Sequence, residues 1–164
     1  MKKIFAAALF AYAASAGAVD GVSAETGRGT RDVDLWRLGL QWHAHADWLA
    51  ATRWRLYWDL SAGGWHSDLG TVHDVGLTPV FRYAGADHGV FYEAAIGFHV
   101  LSDSHINSDL GFSTRFQFGD HLAVGYRFEG YDLSLRLQHL SNGGMRNPNP
   151  GINFLELRGQ YWLK

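Results

Sequence analysis

Residues 54–61 (WRLYWDLS) alternate between two kinds of side chain, with the apolar positions at Trp54, Leu56, Trp58 and Leu60. Because successive side chains of a β-strand point to opposite faces, this segment predicts a strand with one apolar and one polar face. The same alternation recurs in seven further segments, residues 36–42, 75–83, 92–99, 112–118, 122–129, 133–138 and 155–163. Turn-forming glycine, aspartate, serine and asparagine lie between most of them. The sequence therefore predicts an all-β fold of about eight strands.

The composition narrows the class of protein. The chain has 164 residues, of which 47% are hydrophobic, 15% aromatic and 18% charged. This length predicts one domain, and the apolar content excludes a disordered chain. A formal net charge of −2 provides no basic surface, so no nucleic-acid partner is expected. The absence of cysteine excludes disulfides and thiolate zinc sites.

The beginning of the chain is typical of a secretory signal peptide. Two lysines, a short apolar run and a series of small residues follow one another there. We expect cleavage after Ala24 or Ala18, and we place the signal peptide at residues 1–24 and the barrel domain at residues 25–164. The apolar run is shorter than the ~20 residues that a membrane-spanning helix needs, which leaves a membrane barrel as the spanning structure to consider.

The orientation of the two strand faces decides between a membrane barrel and a soluble one. In an outer-membrane barrel the apolar face contacts lipid and the polar face fills the lumen. The apolar faces here are rich in aromatic residues near the strand ends, as in interfacial girdles. The polar faces carry charges of both signs, at Arg37, Arg53, Arg55, Arg82, Arg115, Arg127, Arg136, Arg158, Asp59, Glu93, Glu129 and Glu156. We therefore predict an eight-stranded antiparallel transmembrane β-barrel, with a soluble lipid-binding barrel as the alternative.

The apolar row of residues 133–138 continues into two polar side chains, His139 and Ser141. Alternation places both on the lipid-facing side, where a polar group is costly unless it has a function. Their Cβ atoms are expected roughly 6–7 Å apart, given a rise of ~3.3 Å per residue, and an imidazole can reach a hydroxyl over that distance. His139 as base and Ser141 as nucleophile fit acyl transfer. The alternative is that the strand has ended and both side chains are simply solvated.

Residues 139–144 (HLSNGG) and 147–153 (NPNPGIN) resemble the signature of the lipid A 3-O-deacylases, the PagL-like outer-membrane esterases. The strand pattern and the leader resemble this family over essentially the whole mature chain. The resemblance implies an eight-stranded outer-membrane barrel whose active site lies on the outside of the wall. It implies hydrolysis of the ester-linked 3-hydroxyacyl chain at position 3 of lipid A, with lipopolysaccharide as the partner and without a cofactor or a metal. Whether the barrel forms a homodimer stays open.

The resemblance also assigns roles to individual residues. It makes His139 the general base and Ser141 the nucleophile. It makes Asn142 the asparagine that the family needs for activity, which we expect at the oxyanion hole. The backbone amides of Gly143 and Gly144 are expected to contact the substrate, because glycine lets the backbone approach it closely.

The third member of the triad is where this sequence departs from the family. The acidic position of the family falls on Asn153, whose amide oxygen can orient an imidazole but carries no charge. Glu156 is the nearest acid, and alternation points it into the barrel unless a local bulge turns it outward. We expect Asn153 to orient His139, with Glu156 as the alternative. A non-catalytic small outer-membrane barrel, structural or adhesive, is the alternative function.

Overall fold

The protein is a closed antiparallel barrel in the computed structural model, which describes residues 19–163. The eight barrel strands are β1 (Gly21–Gly29), β2 (Val33–Ala44), β3 (Trp54–Ser67), β4 (Gly70–Ala84), β5 (Gly89–Leu101), β8 (Phe116–Arg127), β9 (Tyr131–Ser141) and β10 (Ile152–Trp162). Two short strands, β6 (His105–Asn107) and β7 (Leu110–Gly111), form a separate two-stranded sheet in the β5–β8 connection, and a 3₁₀ helix (Asp47–Leu49) precedes β3. Strand β10 closes the barrel by pairing with β1. The predicted eight-stranded antiparallel barrel is confirmed.

Two of the predicted strands are one strand in the structure. Residues 112–118 and 122–129 were expected on either side of a turn at Gly119 and Asp120, but β8 runs through both residues without a break. A Cβ on Gly119 would lie 2.6 Å from the ring of His99, so the glycine permits close packing inside the barrel. The eighth strand is β1, which the sequence pattern did not predict. The outward side chains of β1 are valine, alanine, threonine and arginine, which give no clear apolar row.

Strand β1 begins before the predicted domain boundary at residue 25. A barrel domain that began at residue 25 would lack the first part of this strand, from Gly21 to Ala24. It would also lack Ser23, whose hydroxyl accepts a 2.9 Å hydrogen bond from Gln41 Nε2 in the lumen. Of the two expected cleavage positions, the one after Ala18 leaves β1 whole. The predicted leader itself falls mostly in residues 1–18, which lie outside the described residues.

The lumen contains a network of ion pairs, and the outer wall is apolar. Arg37, Arg82, Arg136 and Arg158 are buried in the lumen and pair there with Glu25, Asp59, Asp74, Glu93, Asp132 and Glu156. Pairing is what makes such burial tolerable, because an unpaired buried charge is very costly. Four predicted members of this network lie elsewhere, since Arg53, Arg55, Arg115 and Glu129 are exposed at or beyond the strand ends.

One end of the lumen is filled by apolar side chains, which we call the apolar cap. The cap consists of Val33, Leu35, Trp65, Val72, Leu101, Ile106, Leu110, Phe112, Leu140, Ile152 and Phe154. It includes side chains from the β5–β8 connection, so this connection folds over the barrel end. The cap also packs behind the last residues of β9 and the first residues of β10. It therefore supports from inside the part of the wall that carries His139 and Ser141.

Among residues 19–163, no helix combines the length and the apolar character needed to cross a membrane.

Candidate active site

The candidate site lies on the outer wall where β9 ends and β10 begins. His139 on β9 is the direct cross-strand partner of Asn153 on β10. The side chains that alternate with them, Leu140, Ile152 and Phe154, are buried in the apolar cap. Burial of these neighbours fixes the opposite orientation for His139, Ser141 and Asn153, because a one-residue slip would expose the cap.

The imidazole of His139 is oriented by Asn153. Its Nδ1 lies 2.8 Å from the side-chain oxygen of Asn153. When Nδ1 carries the proton, the ring donates to this oxygen and Nε2 keeps the lone pair that a general base needs. Asn153 is itself held by Thr30, which donates its backbone N–H to Asn153 O at 2.8 Å and accepts from Asn153 N through its hydroxyl at 3.3 Å.

The other side of the imidazole rests against Gly151. A Cβ at this position would lie 2.7 Å from Cε1 and 3.3 Å from Nε2 of His139. Gly151 also has a φ of +64°, a conformation that glycine adopts readily and other residues adopt at a cost. Both features show why the loop ends in glycine. In the sequence this residue was only part of the family signature, without a function of its own.

The hydroxyl of Ser141 lies on the same face, two residues along β9 from His139. It accepts a 3.4 Å hydrogen bond from the backbone N–H of Gly143, and it forms none with His139 among the described contacts. Such nucleophile–base contacts are often long in substrate-free sites and tighten when the substrate binds. The structure therefore brings the two groups to one surface without joining them.

Asn142 does not face the surface that carries Ser141. Its side chain is fully buried, and its Nδ2 donates to Ser113 Oγ at 2.9 Å and to Arg146 O at 2.7 Å. Its Oδ1 accepts from the backbone N–H of Gly144 at 2.9 Å. The expected position of this side chain at the oxyanion hole is therefore not the one observed. Asn142 instead ties the β9–β10 loop, residues 142–151, to the β7–β8 connection.

The two glycines after Asn142 differ in what their amides contact. Gly143 and Gly144 have φ values of +65° and +79°, which favour glycine. The Gly144 amide is occupied by Asn142, whereas the Gly143 amide points at Ser141 Oγ. Of the two, only Gly143 presents a backbone donor beside the nucleophile in this structure.

The alternative acid, Glu156, does not reach His139. It is buried in the lumen with its Oε1 3.4 Å from Arg37 Nη1. The β9–β10 register continues without a bulge from Ile152 to Tyr161, so nothing turns Glu156 outward. The pairing that orients the imidazole belongs to Asn153 instead.

The structure adds one carboxylate that the sequence had left in a turn. Asp120 on β8 is the direct cross-strand partner of His139, on the side of β9 opposite to Asn153. It is exposed in the outward row that includes Phe118 and Leu122. Continuing the alternation of residues 122–129 backward through Gly119 would have revealed this position.

Apolar surfaces border the site on two sides. Phe98, Phe116 and Phe118 pack together on the outer wall with ring centroids 5.2–5.9 Å apart, and Phe118 is the cross-strand partner of Ser141. Further down the wall, a groove of about 330 Å³ is lined by outward side chains that include Leu122, Leu137 and Leu155. These surfaces can accommodate hydrocarbon chains next to the Ser141 hydroxyl.

Comparisons with known proteins agree with one another. A family model described as Lipid A 3-O-deacylase (PagL) matches residues 33–162. Lipid A deacylase PagL of Pseudomonas aeruginosa strain PAO1 is 34% identical over 170 aligned residues, which cover 96% of each chain. Lipid A deacylase PagL of Bordetella bronchiseptica is 32% identical over 108 residues, covering 63% of this chain and 60% of the relative.

Solved structures show the same likeness. The crystal structure of the outer membrane enzyme PagL matches with a TM-score of 0.75 and 30% sequence identity, covering 86% of this chain and 98% of that one. A de novo designed transmembrane β-barrel matches with a TM-score of 0.61 at 12% identity over 88% of this chain and 95% of the design, a similarity of fold alone.

Proposed function

The chain belongs to the lipid A 3-O-deacylase (PagL) family, and we propose that it is an outer-membrane esterase that removes the 3-hydroxyacyl chain at position 3 of lipid A. The observation that carries this proposal is the outward orientation of His139 and Ser141 on a predominantly apolar wall. A hydrolytic pair on the outside of a barrel can only meet a substrate that arrives laterally. Lipid A in the outer leaflet is such a substrate.

Substrate binding needs no deep pocket in this scheme. The lipid is already in the plane of the membrane, so the wall has only to align one ester with Ser141. The phenylalanines beside Ser141 and the groove below His139 provide apolar surface for acyl chains. Burial of hydrocarbon against such a surface is favourable by about 25 cal/mol per Å² when it removes the chain from water, and by less when lipid is displaced.

The reaction follows the general route of serine esterases. His139 Nε2 accepts the proton of the Ser141 hydroxyl as Oγ attacks the ester carbonyl. The Gly143 amide donates to the oxyanion, and His139 then protonates the departing alcohol oxygen of lipid A. Water attacks the acyl-enzyme with His139 again as base, which releases a 3-hydroxy fatty acid and restores Ser141.

Location and processing belong to the same proposal. We place the barrel in the outer membrane, with the β9–β10 loop at the outer leaflet. Residues before the barrel form a secretory leader, and cleavage after Ala18 is favoured because it keeps β1 intact. N-terminal sequencing of the mature protein from membranes tests the cleavage position, and a mature chain that starts at Glu25 contradicts it.

Mass spectrometry of lipid A from a Gram-negative host that expresses the protein tests the activity. We expect the loss of one 3-hydroxyacyl chain from position 3 with the wild type, and unchanged lipid A with Ser141→Ala. Ser134→Ala is the matched control, because Ser134 lies on the same strand but faces the lumen. Heat-modifiable migration on gels verifies that each variant is folded. Unchanged lipid A with folded wild-type protein would instead support a structural or adhesive barrel.

A further inference from the structure

The proposed mechanism, on which this inference rests, creates a positive charge next to a neutral amide. When His139 takes the Ser141 proton, the imidazole becomes an imidazolium. In most triads a carboxylate both orients the ring and stabilises this charge. Asn153 bonds Nδ1 at 2.8 Å and so supplies the orientation, but its amide carries no charge. Asn153 on β10 therefore orients the ring but does not stabilise the positive charge of the imidazolium.

A carboxylate lies on the opposite side of His139. Asp120 on β8 is its direct cross-strand partner, and Cβ atoms of such pairs lie about 4.5–5.5 Å apart on the same face. Opposite charges at this separation attract each other, and the attraction is stronger near a protein surface than in bulk water. Asp120 has no ion pair within 4.0 Å and accepts no hydrogen bond among the contacts that residues 19–163 make.

The outward residues next to Asp120 along β8 and across on β5 are apolar. Its outward neighbours along β8 are Phe118 and Leu122, and its cross-strand partner on β5 is Ile96. A carboxylate in an apolar row of a barrel wall is unfavourable, less so near the interface than at the midplane. Of the residues adjacent to Asp120 on this face, His139 is the one that can become positively charged.

We propose that Asp120 stabilises the His139 imidazolium and that Asn153 orients the ring, so that two residues share what one acid does elsewhere in the family. Asp120 acts through His139 and is therefore a positioning residue, without contact to the ester. Its effect is electrostatic and requires a negative charge on β8 rather than a hydrogen bond to Nδ1, which Asn153 already occupies.

The other groups that face His139 are uncharged. Asn153 and Gly151 are its neighbours on the β10 side, and Leu137 and Ser141 flank it on β9. The nearby lumen charges on β9 and β10, Arg136 and Glu156, lie on the other side of the wall and are paired there. Within the described part of the wall, replacing Asp120 thus removes the single charge that faces this imidazole across a strand pair.

Kinetics of purified, folded protein in mixed micelles of detergent and lipid A test the proposal. We expect Asp120→Asn to lower kcat about 10- to 100-fold at nearly constant KM, because the charge that stabilises the imidazolium is lost while the binding surface is kept. Asp120→Glu should keep most of the activity. Asp34→Asn, which removes an exposed carboxylate from β2, is the matched control and should leave the kinetics unchanged.

A second background separates an electrostatic role from a structural one. With Asn153→Glu the acid returns to β10, and Asp120→Asn should then cost less than about threefold. An equal loss in both backgrounds, or a wild-type kcat for Asp120→Asn, overturns the proposal. The proposed function fails separately, when folded wild-type protein leaves lipid A unchanged. The assignment of the nucleophile fails when Ser141→Ala retains activity. If Asp120→Asn does not fold, Asp120→Ser removes the same charge with a small polar side chain and decides by the same criteria.

Discussion

Charged side chains are paired with one another in the lumen, whereas the charged side chain beside the candidate site is unpaired in the described structure. In the lumen, Arg37 and Arg158 each lie within 4.0 Å of two or more carboxylates. On the wall around β9, the His139 imidazole meets a neutral amide, and the carboxylate of Asp120 has no ion-pair partner in the described structure. Lumen charges are thus arranged to offset the cost of burial, which serves stability. The carboxylate of Asp120 is left unpaired on the described wall, where we propose that it stabilises a protonated His139.

This difference predicts that changes on the two faces affect different properties. A substitution at the site should alter the rate of deacylation and leave unfolding unchanged. A substitution of a lumen charge should lower the free energy of unfolding and leave the deacylation rate of the folded protein unchanged. Because inward and outward residues alternate along the same strands, the comparison can be made between positions only a few residues apart.

Replacement of the proposed base should give the largest effect. We expect His139→Ala to lower the rate of deacylation by at least about 10⁴-fold, since loss of a triad base removes proton transfer in both half-reactions. The urea midpoint should change little, because the ring is outside the apolar cap. The deacylation rate is measured with lipid A as the substrate, and the urea midpoint is measured from the change in gel mobility on unfolding. An active His139→Ala variant would transfer the role of base to another residue.

Removal of a lumen charge should affect stability instead. Arg158 lies 2.6 Å from Asp59 and 3.2 Å from Glu25, and Arg158→Ala leaves both carboxylates buried with fewer partners. We expect a loss of about 3–5 kcal/mol in the free energy of unfolding, with normal activity of the folded fraction. Arg158→Lys is the control, since it keeps the charge. An unchanged unfolding midpoint for Arg158→Ala would contradict the comparison.

The glycine behind the imidazole should matter for the rate. Gly151→Ala places a methyl group 2.7 Å from His139 Cε1 and strains a positive-φ position. We expect kcat to fall about 10- to 100-fold, because small misplacements of a catalytic group are costly. Gly130→Ala, at a positive-φ position at the other end of the barrel, controls for backbone strain. Equal loss of activity in both variants would show that strain alone is responsible.

The apolar border of the site should give the smallest effect. Phe118→Ala removes a ring beside Ser141, and we expect KM for lipid A to rise about three- to tenfold while kcat changes little. Phe128→Ala removes a similar half-buried aromatic side chain at the other end of the barrel and is the control. A fall in kcat alone would assign Phe118 to the reaction step rather than to binding.

The sequence predicted the faces of the strands better than their boundaries. Alternation alone predicted that Arg136 points inward and that Leu135 and Leu137 point outward, because the period of two is a property of the backbone. It could not distinguish the glycine of a turn from Gly119, which allows the His99 ring to pack against β8. It also missed β1, since an outward row of small and polar residues has no apolar signal.

Within the site, the same distinction separates what could be predicted from what could not. Alternation along β9 and β10, together with the family signature, predicted that His139, Ser141 and Asn153 share one face, and the structure places them there. The inward position of Asn142 depends on a contact with Ser113, which lies far away in the sequence. The pairing of Asp120 with His139 depends on the register between β8 and β9, which residue patterns do not encode.

The apolar cap has a consequence for the permeability of the cell surface. Its rings and aliphatic groups fill the mouth of the barrel directly behind the wall that carries His139 and Ser141. Hydrophilic solutes such as small antibiotics or dyes find no aqueous route through it. The proposed deacylase would therefore act on lipid A without opening a pore through the membrane that contains it.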